Sequence, residues 1–200
     1  EAVVRHICIG KDIPVVTHEV SALPFSAFFS HGHATAYRMH IPDDFQLSEH
    51  DGKILDAYLS KRFKGDFTMA GIRFWPEIEG LGEEISARID AYRQMVVVFT
   101  NVIFDTSQIH ANVLFEDMFA WVDDVIERAR QHPDTLFILR AHPDELRPNK
   151  ESRETVEERV RQQCEDGCEN VLFIRPDNYL NSYDLIQQAK FVMVYNSSIG

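Results

Sequence analysis

The sequence predicts an α/β fold built on a parallel sheet, and three observations predict it. Short apolar runs recur at 95–99, 135–141, 170–174 and 191–195. They are apolar at nearly every position, as strands buried on both faces are, rather than alternating like strands with one wet face. Segments of helical period stand between them, and strand–helix alternation of this length requires parallel neighbours joined by right-handed crossovers.

Taken in order, MVVVF (95–99) is the first such strand. LFEDMFAWVDDVIERAR (114–130) follows as a helix, with Phe115, Met118, Phe119, Val122, Val125, Ile126 and Ala129 on one side and Trp121 in the core. Its acidic start and basic end suit the helix dipole, and Pro133 stops it. TLFILRA (135–141) is the second strand, and ESRETVEERVRQQC (151–164) is a more polar helix with Ser152 as the expected N-cap. NVLFI (170–174), SYDLIQQAK (182–190) and FVMVY (191–195) complete the series as strand, helix and strand. The two serines after the last strand, with Asn196, read as the cap of a further helix.

The first part of the chain lacks this rhythm. AVVRHICIG reads as a helix capped by Gly10, IPVVTHEV (13–20) as a strand, and FFSHGHATAYRMHI (28–41) as a turn at Gly32 with loop and strand. HDGKILDAYLSKRF (50–63) reads as a helix, FTMAGIRFW (67–75) as extended, and 76–94 as a Pro/Gly-punctuated segment that turns helical. The expected division is an N-terminal domain portion over 1–80, a linker over 81–94 and a second domain over 95–200. The chain starts without Met and stops soon after its last strand, so a piece of a longer protein, cut within the second domain, is expected.

Composition bounds the partners. A net charge of −12 lacks the basic stripe that a nucleic-acid surface needs to displace counterions. No apolar run reaches the roughly 20 residues of a membrane span, and the start is not a signal peptide, so a cytoplasmic chain is expected. Cys8, Cys164 and Cys168 are odd in number and wrongly spaced for zinc, which favours free thiols in a reducing compartment. His31 and His33, around a glycine, lack a third ligand, and no metal is expected.

In an open α/β sheet, ligands bind beyond the carboxyl ends of the strands. The segments leaving the four strands are TNVIFDTSQ, HPDELRPNKESR, RPDNYLNS and NSSIG. A helix opening at Asn196, Ser197 and Ser198 would offer its free N–H groups to a phosphate. His142, fixed by Pro143, would donate to a phosphate oxygen or protonate it on departure.

LRAHPDE, ESRETV, VVVFTNVIFDT and NYLNSYDLIQQAKFVMVYNSSIG together resemble the donor-binding domain of GT-B glycosyltransferases, in particular capsule and surface-polysaccharide biosynthesis proteins. Similar strand-HP and strand-SS elements occur in bacterial Kdo- and sialyltransferases and in teichoic-acid glycerophosphotransferases, which use cytidine-nucleotide donors. The resemblance covers about 95–200. It implies a GT-B-like, Rossmann-like parallel-sheet donor domain preceded by the end of an N-terminal α/β domain that holds the acceptor.

It also implies transfer of a sugar from a CMP- or UDP-linked donor to a surface or capsular glycan, free or lipid-linked, with no cofactor. A place at the inner face of the membrane, beside an assembly complex, is compatible with it. His142 and Pro143 match the HP element, Ser197 and Ser198 the paired hydroxyls, with Gly200 behind them. Arg140, Arg153, Thr100, Asn101 and Asn196 are expected around the phosphate, and Asp105 and Thr106 toward the cleft. Glu19 or His18 is the candidate base for the acceptor hydroxyl. A glycerophosphotransferase, a sugar-nucleotide 2-epimerase of the same fold and a silent nucleotide-sugar-binding module are the alternatives.

Overall fold

The computed structural model describes residues 2–20, 26–33, 40–64, 80–104, 112–149 and 152–197. The expected extended segment 67–75 and the candidates Asp105, Thr106, Ser198 and Gly200 lie outside these residues. The chain divides into two compact units, Glu1–Phe74 and Trp75–Gly200.

In the first unit, α1 (Ala2–Gly10) leads to an antiparallel hairpin of β1 (Thr17–Val20) and β2 (Ala27–Ser30), followed by α2 (Glu49–Phe63). The chain reverses after α1 at Asp12, which takes a left-handed φ of 56°, rather than at Gly10. Asp tolerates that conformation because its short polar side chain bonds locally. The hairpin is anchored by Thr17, whose hydroxyl donates to the carbonyls of Ser30 (3.1 Å) and Gly32 (3.0 Å). Ser48 caps α2 by accepting from the Asp51 N–H, as a serine before an acidic first turn should.

The second unit holds a four-stranded parallel sheet. Its strands are β3 (Gln94–Phe99), β4 (Thr135–Arg140), β5 (Val171–Ile174) and β6 (Phe191–Val194), in the order β5-β4-β3-β6. The helices are α3 (Gly82–Asp90), α4 (Met118–Gln131), α5 (Val156–Gln163) and α6 (Ser182–Gln188), with a 3₁₀ turn at Pro143–Leu146. This is a mixed α/β architecture compatible with a Rossmann-like fold.

Alternate strand residues serve opposite layers, because successive side chains of a strand point to opposite faces. Val96, Val98, Phe137 and Leu139 pack against Trp121, Val122, Val125 and Ile126 of α4 and Val156 and Val160 of α5. Met95, Val97, Leu136 and Ile138 pack against Leu185 of α6 and Ile85 and Ile89 of α3. The second arrangement follows from the crossover rule. The chain travels one way from β3 to β5, then returns past β3 to β6, and a right-handed crossover in the reversed direction places its helix on the other face.

Three boundaries differ from the sequence reading. The segment 81–94, expected to be a linker, carries α3, and its isoleucines belong to this unit's core. Arg88 and the Tyr92 hydroxyl both donate to the Glu169 carbonyl, which fastens that end of the segment to the turn before β5. α4 begins at Met118 rather than 114, because Asp117 takes extended backbone and its carboxylate accepts from the Ala120 N–H (2.8 Å). Leu114 is left 88% exposed and Phe115 packs from outside the helix. α5 is capped by Thr155, not Ser152. The Thr155 hydroxyl accepts from the Glu158 N–H and donates to the Glu158 carboxylate (both 3.2 Å), whereas the Ser152 N–H is engaged by the Glu145 carbonyl. No described helix is long and apolar enough to cross a membrane.

Candidate functional site

The strand order places the candidate site. β3 has β4 on one side and β6 on the other, and the chain changes its direction of travel across the sheet at β3, the switch point beside which open α/β sheets bind ligands at the carboxyl edge. The register is equally informative. Phe99 pairs with Arg140 on one side and Val194 on the other. The ladder continues one step further, with the Thr100 N–H on the Arg140 carbonyl (3.2 Å) and the Tyr195 N–H on the Phe99 carbonyl (3.4 Å). Asn101, His142 and Asn196 each lie two residues beyond that paired level, and so form one row across three adjacent strand ends. At ~4.8 Å between strands, β4 and β6 stand about 10 Å apart, which a diphosphate flanked by side chains spans.

Asn101 ties the ends of β3 and β6 together. It is 5% exposed, and its side-chain amide donates to the Asn196 carbonyl (2.9 Å) while its carbonyl oxygen accepts from the Val102 N–H (2.8 Å). Asn196 takes a left-handed φ of 51°. Its backbone, followed by Ser197, is therefore held in a turn at the crevice by a side chain from the neighbouring loop. The expected helix cap is not what Asn196 makes, since that role calls for extended backbone. Tyr195 adds a second tie: its hydroxyl donates to the Asn112 side chain at 2.5 Å, and its ring packs on Trp121 with centroids 5.3 Å apart.

His142 sits where the sequence reading placed it, on extended backbone (φ −73°, ψ 133°) imposed by Pro143 at the first position of the 3₁₀ turn. Its Nδ1 accepts from the Asp144 N–H (3.1 Å), so a neutral ring carries its proton on Nε2. The turn therefore orients the imidazole as an Nε2–H donor. Glu145, which the sequence reading passed over, is the anchor of this turn. It is 3% exposed; its N–H donates to the His142 carbonyl, its own carbonyl accepts from the Ser152 N–H, and its carboxylate accepts from the Val156 N–H at the start of α5. Burial, reinforced by the charge of Glu157, pushes its carboxyl up to about 7 against that N–H. Its position three residues after the histidine, ahead of a helix start, was the signal.

Arg140 corrects an expectation. The residue is 2% exposed and its guanidinium is turned toward the loop after β5, donating to the backbone carbonyls of Arg175 and of Asn178 (2.6 Å). It shapes that loop and does not present charge to a phosphate. Burial lowers it to about 10, so it remains a cation at neutral pH. Arg175 is engaged by Glu157 and Asp177. Arg153 lies exposed in the bend before α5. Thr100 is buried, with its hydroxyl on the Arg140 carbonyl (3.3 Å), and serves the sheet edge.

In the first unit, His18 is exposed on β1 beside the Phe29 ring, and the Glu19 carboxylate accepts from the adjacent Val20 N–H (3.0 Å). Between the starts of α4 and α5 lies a groove of about 310 Å³ lined by Glu116, Asp117, Glu154, Glu158 and Arg159. Its acidic balance repels an anion, so it is separate chemistry from the crevice. Among the described residues no group of three or more His, Cys, Asp or Glu is placed to hold a metal ion.

Fold and site together define the class: an α/β protein with a parallel sheet whose switch-point edge carries an imidazole, a clamped left-handed turn and a hydroxyl. No protein-family model, curated protein or solved structure matches the chain.

Proposed function

We propose that this chain carries the donor-binding part of a GT-B-type glycosyltransferase, which moves a sugar from a nucleotide-activated donor to a surface glycan. The observation that carries the reading is the single row of Asn101, His142 and Asn196 across the switch point, with Ser197 next to it. The donor's phosphate would lie over this row, where the His142 Nε2–H and the Ser197 hydroxyl would meet the charge that develops as the nucleotide leaves. Donors already oriented in a dry site stabilise such charge by ~3 kcal/mol each, because they need no reorganisation at the moment of reaction.

Saturation-transfer NMR with CMP, UDP, GDP and CDP-glycerol tests the reading, and one of them is expected to bind. His142→Asn retains a side-chain acceptor for the Asp144 N–H and is expected to fold normally while losing nucleotide affinity. His142→Ala also loses the cap, at a cost of ~1 kcal/mol in stability. A preference for CDP-glycerol would move the assignment to glycerophosphate transfer. Binding without turnover on any acceptor would mark a silent module, and failure of all four nucleotides to bind would remove the proposal.

Asn101→Asp is the sharper probe of the clamp. The carboxylate still accepts from Val102 but turns acceptor against acceptor at the Asn196 carbonyl. Loss of one hydrogen bond of ~1 kcal/mol, with an added negative charge beside the ligand, is expected to weaken nucleotide binding about tenfold. An unchanged dissociation constant would show that the turn at Asn196 needs no clamp.

A further inference from the structure

We propose that Cys164 and Cys168 form a dithiol modification site that reacts with low-molecular-weight disulfides and closes to an intramolecular disulfide. The two cysteines flank the turn that ends α5. Cys164 is the C-cap, its N–H on the Val160 carbonyl (2.9 Å). The Gly167 N–H returns to the Cys164 carbonyl (2.9 Å), and Gly167 takes a φ of 94°, a left-handed conformation that glycine adopts without steric cost. That reversal turns the chain back at Cys168, and the two thiols lie near enough for each to bear on the other's ionisation. Both are half-buried and pack against the same core as Trp121 and Val160.

Burial, and then the neighbouring Cys168, push the Cys164 thiol up to about 12. The Arg130 guanidinium, which donates to the Gln163 carbonyl, carries a positive charge that both sulfurs feel. The thiolate of one cysteine attacks one sulfur of a disulfide such as oxidised glutathione, breaking its S–S bond and releasing one small thiol. The other cysteine then gives its proton to solvent and attacks the modified sulfur, expelling the second small thiol. Two protein thiols lose two electrons and two protons, and the small disulfide becomes two thiols. Without a third ligand in the described residues, the pair does not read as a zinc site.

The test is a time course of the whole chain with oxidised glutathione, digested with trypsin under acid quench. Trypsin spares Arg175 because Pro176 comes next, so one peptide, Gln162–Lys190, contains both cysteines and closure appears as its loss of two hydrogens. The expected sequence is a transient single glutathione adduct on this peptide, followed by the closed form. Cys8, which has no neighbouring cysteine in sequence, is expected to stop at the adduct. Cys164→Ser is expected to trap the adduct at Cys168. A stable double adduct on the peptide, or no reaction there while Cys8 reacts, would overturn the proposal. If the serine variant does not fold, the parent's time course decides alone.

Discussion

Glu145→Gln is expected to leave stability unchanged near pH 4 and to raise it over the parent by about 3 kcal/mol at pH 8. The Glu145 carboxyl is buried and lies at about 7 in the folded chain, against an ordinary value of 4.5. Below pH 4.5 both folded and unfolded states hold the proton, and its full contribution is present. Between pH 4.5 and 7 the unfolded chain releases the proton while the folded chain retains it, so the fold loses stability as pH rises. Above pH 7 both are ionised and the loss is complete. At ~1.4 kcal/mol per unit, that window amounts to about 3 kcal/mol.

Glutamine is neutral throughout and keeps an acceptor for the Val156 N–H, so it removes the titration without removing the anchor. Urea unfolding of both proteins at pH 4, 6 and 8 measures the difference, and the other carboxylates cancel in the comparison. Parallel curves across that range would show that the carboxyl titrates normally and that the buried anchor has been misread. The consequence for the site is direct, because Glu145 holds both the His142 carbonyl and the start of α5.

Arg140→Ala is expected to lower stability by about 3 kcal/mol, and Arg140→Met by less than about 1 kcal/mol. The alanine leaves a cavity where the aliphatic stem packed and strips the Arg175 and Asn178 carbonyls of their donors. Methionine fills the space and spares the protein the desolvation of a cation, which offsets the lost bonds. Both variants should release the loop after β5, seen as faster amide exchange over 175–179. If methionine destabilises as much as alanine, the carbonyl bonds rather than the packed stem hold this region. Either outcome bears on the site, since Arg140 stands two residues before His142.

The strands of the second unit and the helices between them were legible because buried parallel strands and amphipathic helices write their periodicity into adjacent residues. The extended backbone of His142 was legible for the same reason, since proline constrains its immediate neighbour. Cap positions were less so. Ser152 and Thr155 offer the same hydroxyl to a helix start, and the choice falls to Thr155 because Glu145, seven residues upstream of Ser152, takes the Ser152 N–H. Arg140 reads in sequence as a free cation near a phosphate motif. Only the fold shows it buried beneath the loop after a neighbouring strand.

Within the second unit, from β3 to β6, the sequence by itself determined which segments are strands and which are helices, because those are local properties of spacing and turn chemistry. It did not determine that β6 returns to the far side of β3, which brings Asn101, His142 and Asn196 into one row. Strand order rests on pairings between residues about 40 to 95 positions apart, which depend on how the helices cover both faces together. The fate of each charged side chain was decided at the same level, because burial and partner are set by whichever loop the finished sheet places beside it.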